Sequence, residues 1–254
     1  MTAPPVPWQR PRSSAAPAGF AEREAALHAL VAAIGRRYTG AALASSLSVE
    51  DAVLAHAIAA TAAPIDVFVI DTGRLHAQTV ELIVATERRL GRPVIVVRPQ
   101  LGAIAEHVAS YGEFSFYDSV QARHACCHLR KVEPLQRALA GREAWLTGQR
   151  QAHGPERAAL AEEERDEVRR IAKFNPLAAW DDASVWHYAD RHDLPTNPLH
   201  ARGFASIGCE PCTRAIRADE DPRAGRWWWE SAHTKECGLH VPAAASAATL
   251  EGSR

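Results

Sequence analysis

Five cysteines carry the most reactive chemistry in this sequence: Cys126, Cys127, Cys209, Cys212 and Cys237. Four fall into two close pairs and the fifth stands alone near the carboxyl end. A disulfide between the adjacent Cys126 and Cys127 would be strained, and a reducing compartment disfavours it. Cys209-Glu-Pro-Cys212 is a C-x-x-C turn, preceded by Gly208 and tightened by Pro211, of the kind that aims two sulfurs at one centre. Four thiolates suit either tetrahedral zinc or a four-iron cluster, and spacing does not choose between them. Cys237 sits in Lys235-Glu-Cys-Gly-Leu-His240. There a lysine and a histidine can stabilise a thiolate and lower its pKa, as a nucleophile requires.

Basic residues gather around these pairs. Arg123, His124, His128, Arg130 and Lys131 surround the first, and Arg214, Arg217, Arg223 and Arg226 follow the second. Guanidinium groups bind phosphate or sulfate oxygens bidentately. Yet 29 basic and 30 acidic residues nearly cancel over the 254 residues. Local positive charge in a neutral chain points to a small anionic substrate rather than to nucleic acid. The longest mostly apolar stretch, Ala52 to Ala63, contains His56 and is too short to span a bilayer, so no membrane partner is expected. Five prolines precede Ala18 and no apolar h-region accompanies them, which favours the cytoplasm and reduced thiols.

The elements that must position these groups alternate. Leu27, Leu30, Val31 and Ile34 fall at helical spacing between Ala21 and Tyr38. Ala41–Ser45, Ile65–Ile70, Pro93–Val97 and Ala144–Thr147 read as buried strands, with helices expected from about Glu50 and from His76 to Leu90. Alternation of this kind predicts an α/β protein with a mostly parallel sheet and helices on both faces. Ligands of such sheets bind beyond the carboxyl ends of the strands. That rule singles out the loops Ser45–Ser48, Asp71–Arg74 and Thr147–Arg150. Residues 151–172 are highly charged and read as a solvated helix or loop, whereas residues 1–19 read as a disordered lead.

These motifs, in this order, resemble those of the assimilatory adenylyl-sulfate (APS) reductases, close relatives of the PAPS reductases. The resemblance runs through Ser45-Ser-Leu-Ser-Val-Glu-Asp51, Asp71-Thr-Gly-Arg-Leu-His76, Cys126-Cys-His-Leu-Arg-Lys-Val-Glu-Pro134 and Trp145-Leu-Thr-Gly-Gln-Arg150. It continues through Lys173–Leu177, Asn197–His200, Ser206–Arg214, Arg223–Glu230 and Lys235–His240. It implies a Rossmann-like, adenine-nucleotide α-hydrolase-like fold over residues 20–230, followed by a mobile segment, 231–254, that carries a nucleophilic Cys237. It further implies that Cys126, Cys127, Cys209 and Cys212 hold one [4Fe–4S] cluster. The activity implied is reduction of APS to sulfite and AMP through an S-sulfocysteine, with thioredoxin or glutaredoxin as reductant. Lys131, Arg223, Arg226 and His240 would bind the phosphosulfate and Arg157 would reach substrate. The strand-end loops would hold adenosine, which brings in Ser45, Ser46, Asp71, Gly73 and Gly148. A homo-oligomer is left open.

The sequence also departs from the family. Ser48 stands where many members carry glycine, Gln151–Pro155 replaces a more polar run, and the full Ser-Gly-Gly-x-Asp-Ser loop of ATP-cleaving relatives is absent. The rival readings are a PAPS reductase with the same chemistry, an ATP-dependent tRNA-thiolating enzyme, and a non-enzymatic zinc or redox-sensing module.

Overall fold

A computed structural model describes residues 6–12, 15–154 and 157–231. Among them, six strands form one sheet: β1 (Ala41–Ser45), β2 (Asp66–Ile70), β3 (Ile95–Val97), β4 (Ala144–Leu146), β5 (Glu163–Asp166) and β6 (Ile171–Phe174). Their order is β3-β2-β1-β4-β6-β5, parallel throughout except for β5, which pairs antiparallel to β6 at the edge. The helices are α1 (Phe20–Arg37), α2 (Val49–Ala60), α3 (Ala77–Leu90), α4 (Leu101–Tyr111), α5 (Val120–Cys127), α6 (Glu133–Leu139) and α7 (Asp182–Arg191).

The central strands β1, β2 and β4 are mostly apolar because both of their faces are covered. Leu43, Val67, Val69 and Leu146 pack into a large core with α1, α2, α3 and α7. The alternate residues Ala42, Phe68 and Trp145 pack with Leu135 and Leu139 of α6 on the other face. Each buried Val, Leu or Phe side chain among them contributes about 1.5–3 kcal/mol when taken from water. Within the larger layer the Tyr188 hydroxyl lies 2.8 Å from both His28 Nε2 and His56 Nδ1, so the polar groups between α1, α2 and α7 satisfy one another. From β1 the chain moves out to β2 and β3, then returns to the other side of β1 as β4. That reversal makes β1/β4 the switch point at which the sheet opens a crevice.

Two sequence expectations differ from what is found. Part of the charged stretch is strand β5, whose mostly charged, exposed side chains are what an edge strand needs to discourage further pairing, and they hide it from a search for apolar alternation. Nor are residues 6–12 a free lead. The Trp8 N–H donates to Ile216 O at 3.0 Å, the Ala218 N–H donates to Val6 O at 2.9 Å, and Trp8 packs on the main core. No helix among the described residues is long and apolar enough to cross a membrane.

Candidate active site

At the carboxyl end of β1 the chain curls around a carboxylate. The Ser46 N–H and Oγ both donate to Asp51 Oδ2, at 2.6 and 2.8 Å, and the Leu47 N–H donates to Ser45 Oγ. Ser48 then caps α2, its side chain accepting from the Asp51 N–H. Its backbone is extended, at φ −73°, so nothing there demands the glycine many family members carry. Burial pushes the Asp51 carboxyl up to about 6, against the Ser46 hydrogen bonds that oppose it.

Its neighbour Glu50 faces a different set of partners. Arg150 reaches it through Nε and Nη2, at 3.0 and 2.8 Å, and His153 Nε2 lies 3.1 Å away. Burial alone would raise the Glu50 pKa, but the His153 hydrogen bond and the Arg150 charge outweigh it and hold it at about 2. Arg150 also donates to Trp180 O and to Asp182 at the start of α7. A single arginine thus ties the β4 loop to α2 and α7.

Gly148 lies between these two carboxylate residues. A Cβ there would stand 2.6 Å from Asp51 Oδ1 and 2.8 Å from Glu50 Cβ, so the loop closes this tightly only with glycine. Gly148→Ala is expected to cost about 1–3 kcal/mol of stability by overpacking. Chemical denaturation checks this, and an unchanged midpoint would refute it.

These loops border a cavity of about 370 Å³, within the range of small-molecule sites. Of the residues expected from the sequence, Ser45, Ser46, Lys131, Gly148, Arg157, Arg223 and Arg226 line it. Asp71 and Gly73 do not. The Asp71 carboxylate accepts from Arg98 Nε and from the Gly73 N–H, both at 3.0 Å. Their turn serves both sides: Thr72 lines this cavity, as does Leu75, while Thr72 Oγ1 lies 3.3 Å from Cys209 Sγ, Arg130 donates to Thr72 O, and the Glu210 N–H donates to Arg74 O. Cys237 and His240 lie outside the described residues.

The four paired cysteines, all free thiols, converge on a second cavity. Cys126 and Cys127 end α5, and the following residues, His128–Val132, form a π-helical turn, a distortion often found at functional sites. Cys209 and Cys212 arrive from the opposite side on a short 3-10 turn. Three of the sulfur residues are buried with Phe116 and Trp227, and Cys126 is half-buried. Burial, and the neighbouring Cys209, push the Cys212 thiol up to about 12, so this thiol stays protonated near neutrality unless a cation sits beside it. Arg74, Arg123, Arg130 and Lys131 also line the cavity. Among the described residues no three or more His, Cys, Asp or Glu side chains converge as ligands of one metal ion. Four thiols grouped in one place, with cationic side chains beside them, are a donor set that could hold a metal–sulfur group.

Lys131, Cys209 and Trp227 line both cavities, so the two share a wall. Arg226 lies in this wall region. Its guanidinium packs on Gly208, where a Cβ would meet Nη2 at 2.5 Å, and on the Trp227 ring, 4.9 Å from the centroid. Arg123, with no exposed surface, donates to Glu230 at 2.7 and 2.9 Å and stacks on Trp227 from 4.5 Å, binding α5 to the end of the described chain.

A model of the phosphoadenosine phosphosulfate reductase domain family matches residues 40–215. A curated relative from Burkholderia cepacia, an adenosine 5'-phosphosulfate reductase, is 56% identical over 215 residues, covering 85% of this chain and 86% of its own. Another adenosine 5'-phosphosulfate reductase, from Allochromatium vinosum, is 50% identical over 218 residues, covering 86% of this chain and 85% of its own. Among solved structures, a phosphoadenylyl-sulfate reductase from Candida auris in a phosphate complex aligns with a TM-score of 0.65 at 23% identity, over 81% of this chain and 100% of that one. An NMN synthetase from Francisella tularensis aligns with a TM-score of 0.53 at 15% identity, over 90% of each chain. The two structures show the fold alone, and it is the Rossmann-like, adenine-nucleotide α-hydrolase-like one expected from the sequence.

Proposed function

The chain belongs to the phosphoadenosine phosphosulfate reductase domain family, and on that premise we propose that it reduces adenylyl sulfate (APS) to sulfite and AMP. The observation that carries this reading is the shared wall. A cavity of nucleotide size, with Lys131, Arg223 and Arg226 in its lining, abuts a buried set of four cysteines through Lys131, Cys209 and Trp227. The names of the two similar reductases favour APS over PAPS as substrate.

In this reading Ser45, Ser46 and Gly148 border the adenosine, while Lys131, Arg223 and Arg226, with Arg157 and His240, take the phosphosulfate. The Cys237 thiolate attacks the sulfur of the sulfuryl group. The S–O bond to phosphate breaks, AMP leaves with that bond's electron pair, and an S-sulfocysteine remains on Cys237. Cationic side chains hold the anion and stabilise the charge that gathers on the departing phosphate. One thiolate of a thioredoxin- or glutaredoxin-type dithiol attacks the Cys237 sulfur and releases sulfite. Its second thiol then resolves the mixed disulfide and returns Cys237 to thiolate. The dithiol supplies both electrons, and its oxidised disulfide, sulfite and AMP account for the atoms.

Cys126, Cys127, Cys209 and Cys212 would hold one [4Fe–4S] cluster. When bound, it supplies a fixed core to which all four thiolates are tied and a concentrated charge beside Lys131. The test of the reading is sulfite release from APS and from PAPS, with a thioredoxin as reductant. Faster release from APS is expected. A strong preference for PAPS would overturn the choice of substrate, and release from neither would overturn the activity.

A further inference from the structure

The strap formed by residues 6–12 crosses beside the nucleotide cavity, and the function read above leaves it without a role. It is held at both ends. Toward its start, Pro7 bridges Arg217 in antiparallel fashion, between the backbone hydrogen bonds of Val6 and Trp8 to Ala218 and Ile216. Further on, Arg10 pairs with Asp190 of α7 at 2.7 Å and lies over the Trp186 ring, 5.0 Å from its centroid. Pro7 and Pro11 restrict the backbone on either side of Trp8 and so lower the entropy lost on docking.

Trp8 thereby becomes part of the cavity lining, together with Trp186 and His200. Its ring lies 6.0 Å from that of His200, which meets Trp186 edge-on at 5.0 Å. His200 Nδ1 donates to Phe204 O at 2.7 Å, which orients the ring. These three rings make an aromatic stretch of wall, unlike the cationic stretch of Lys131, Arg223 and Arg226. The strap and residues 216–218, with which its backbone pairs, lie outside the span 40–215 that matches the family, whereas its side-chain partners Trp186, Asp190 and His200 lie inside it. We propose that Trp8 is a nucleotide-binding residue: the strap completes the cavity, and the indole packs against the uncharged nucleoside part of the adenylate. This rests on the reading of the cavity as the APS site.

The test compares the full-length holoprotein with Trp8→Ala, Trp8→Phe and Arg10→Ala. AMP affinity is measured by calorimetry, and KM and kcat are measured with APS. Trp8→Ala is expected to weaken AMP binding and raise KM about tenfold, with kcat within about twofold. Trp8→Phe should restore most of the affinity, which a general loss of stability would not explain. Should Trp8→Ala fail to fold, Arg10→Ala, which loosens the strap but keeps the indole, carries the test through a smaller rise in KM. Wild-type affinity in Trp8→Ala, or in Arg10→Ala where that variant carries the test, overturns the proposal. If the wild type neither binds AMP nor consumes APS, the functional reading fails, and this inference with it. If the wild type does both and the variants match it, only this inference fails.

Discussion

Cys237→Ser should lose at least about 10⁴-fold in sulfite release, the scale on which removing a covalent nucleophile acts. A serine hydroxyl is scarcely ionised near neutrality, whereas a thiol ionises far more readily, and Lys235 and His240 close in sequence can favour its thiolate. The same chemistry predicts a positive signal. Incubated with APS and no dithiol, the wild-type protein should gain one sulfite-sized mass, located on Cys237 by peptide mapping, and release one equivalent of AMP. A dithiol should then discharge the adduct as sulfite. Cys237→Ser should show no adduct while still binding AMP. Turnover at the wild-type rate in the serine variant would end the mechanism, because no other cysteine is free of the paired set. An adduct on Cys126 or Cys209 would reassign the nucleophile and remove the four-cysteine cofactor site.

Much of this arrangement is legible in the chain itself. β1, β2 and β4 are readable because strands buried on both faces read as near-continuous apolar runs, and α2 begins where Ser48 can cap it. The cysteine quartet is readable because vicinal and C-x-x-C spacings are hard to explain otherwise. Other features are silent, in whole or in part, for physical reasons. α4 repeats Leu101, Ile104 and Val108 at helical spacing but buries none of its eleven residues, so the pattern marks a helix without marking a core face. The π-helical turn after Cys127 depends on tertiary packing and has no local signature. Trp8 sits in a proline- and alanine-rich stretch whose composition suggests disorder, and only its contacts with Ile216 and His200 reveal its place. The Asp71 loop teaches a different lesson. The strand-end rule locates the binding crevice, but it does not say which loop faces the ligand and which supports a neighbour. Here Thr72 does both, lining the larger cavity and lying 3.3 Å from Cys209 Sγ, while the Gly73 N–H and Asp71 brace the turn itself.

Lys131→Ala should lower kcat/KM for APS by about 10²–10³-fold, comparable to removing one charge-stabilising donor from an active site. The reason is position. Lys131 stands four residues after Cys127, in the π-helical turn, and lines both cavities. An ammonium there faces the sulfur-rich site on one side and the anion space on the other. It can neutralise charge accumulating on the phosphate as the S–O bond breaks. A purely structural lysine makes a different prediction, so the variant needs a second readout. Iron and acid-labile sulfide should remain equal to each other and at wild-type content, and the visible spectrum should be retained. AMP binding should weaken far less than turnover, because the charge Lys131 meets is greatest in the transition state. Lys131→Arg, which keeps the charge but spreads it over a planar fork, should recover only part of the rate. Full turnover in Lys131→Ala with the iron retained would separate the two cavities functionally and leave their shared wall without a chemical role. Loss of iron in that variant would make Lys131 a support of the cysteine site first, and its contribution to the anion would then have to be read from Arg223→Ala and Arg226→Ala instead.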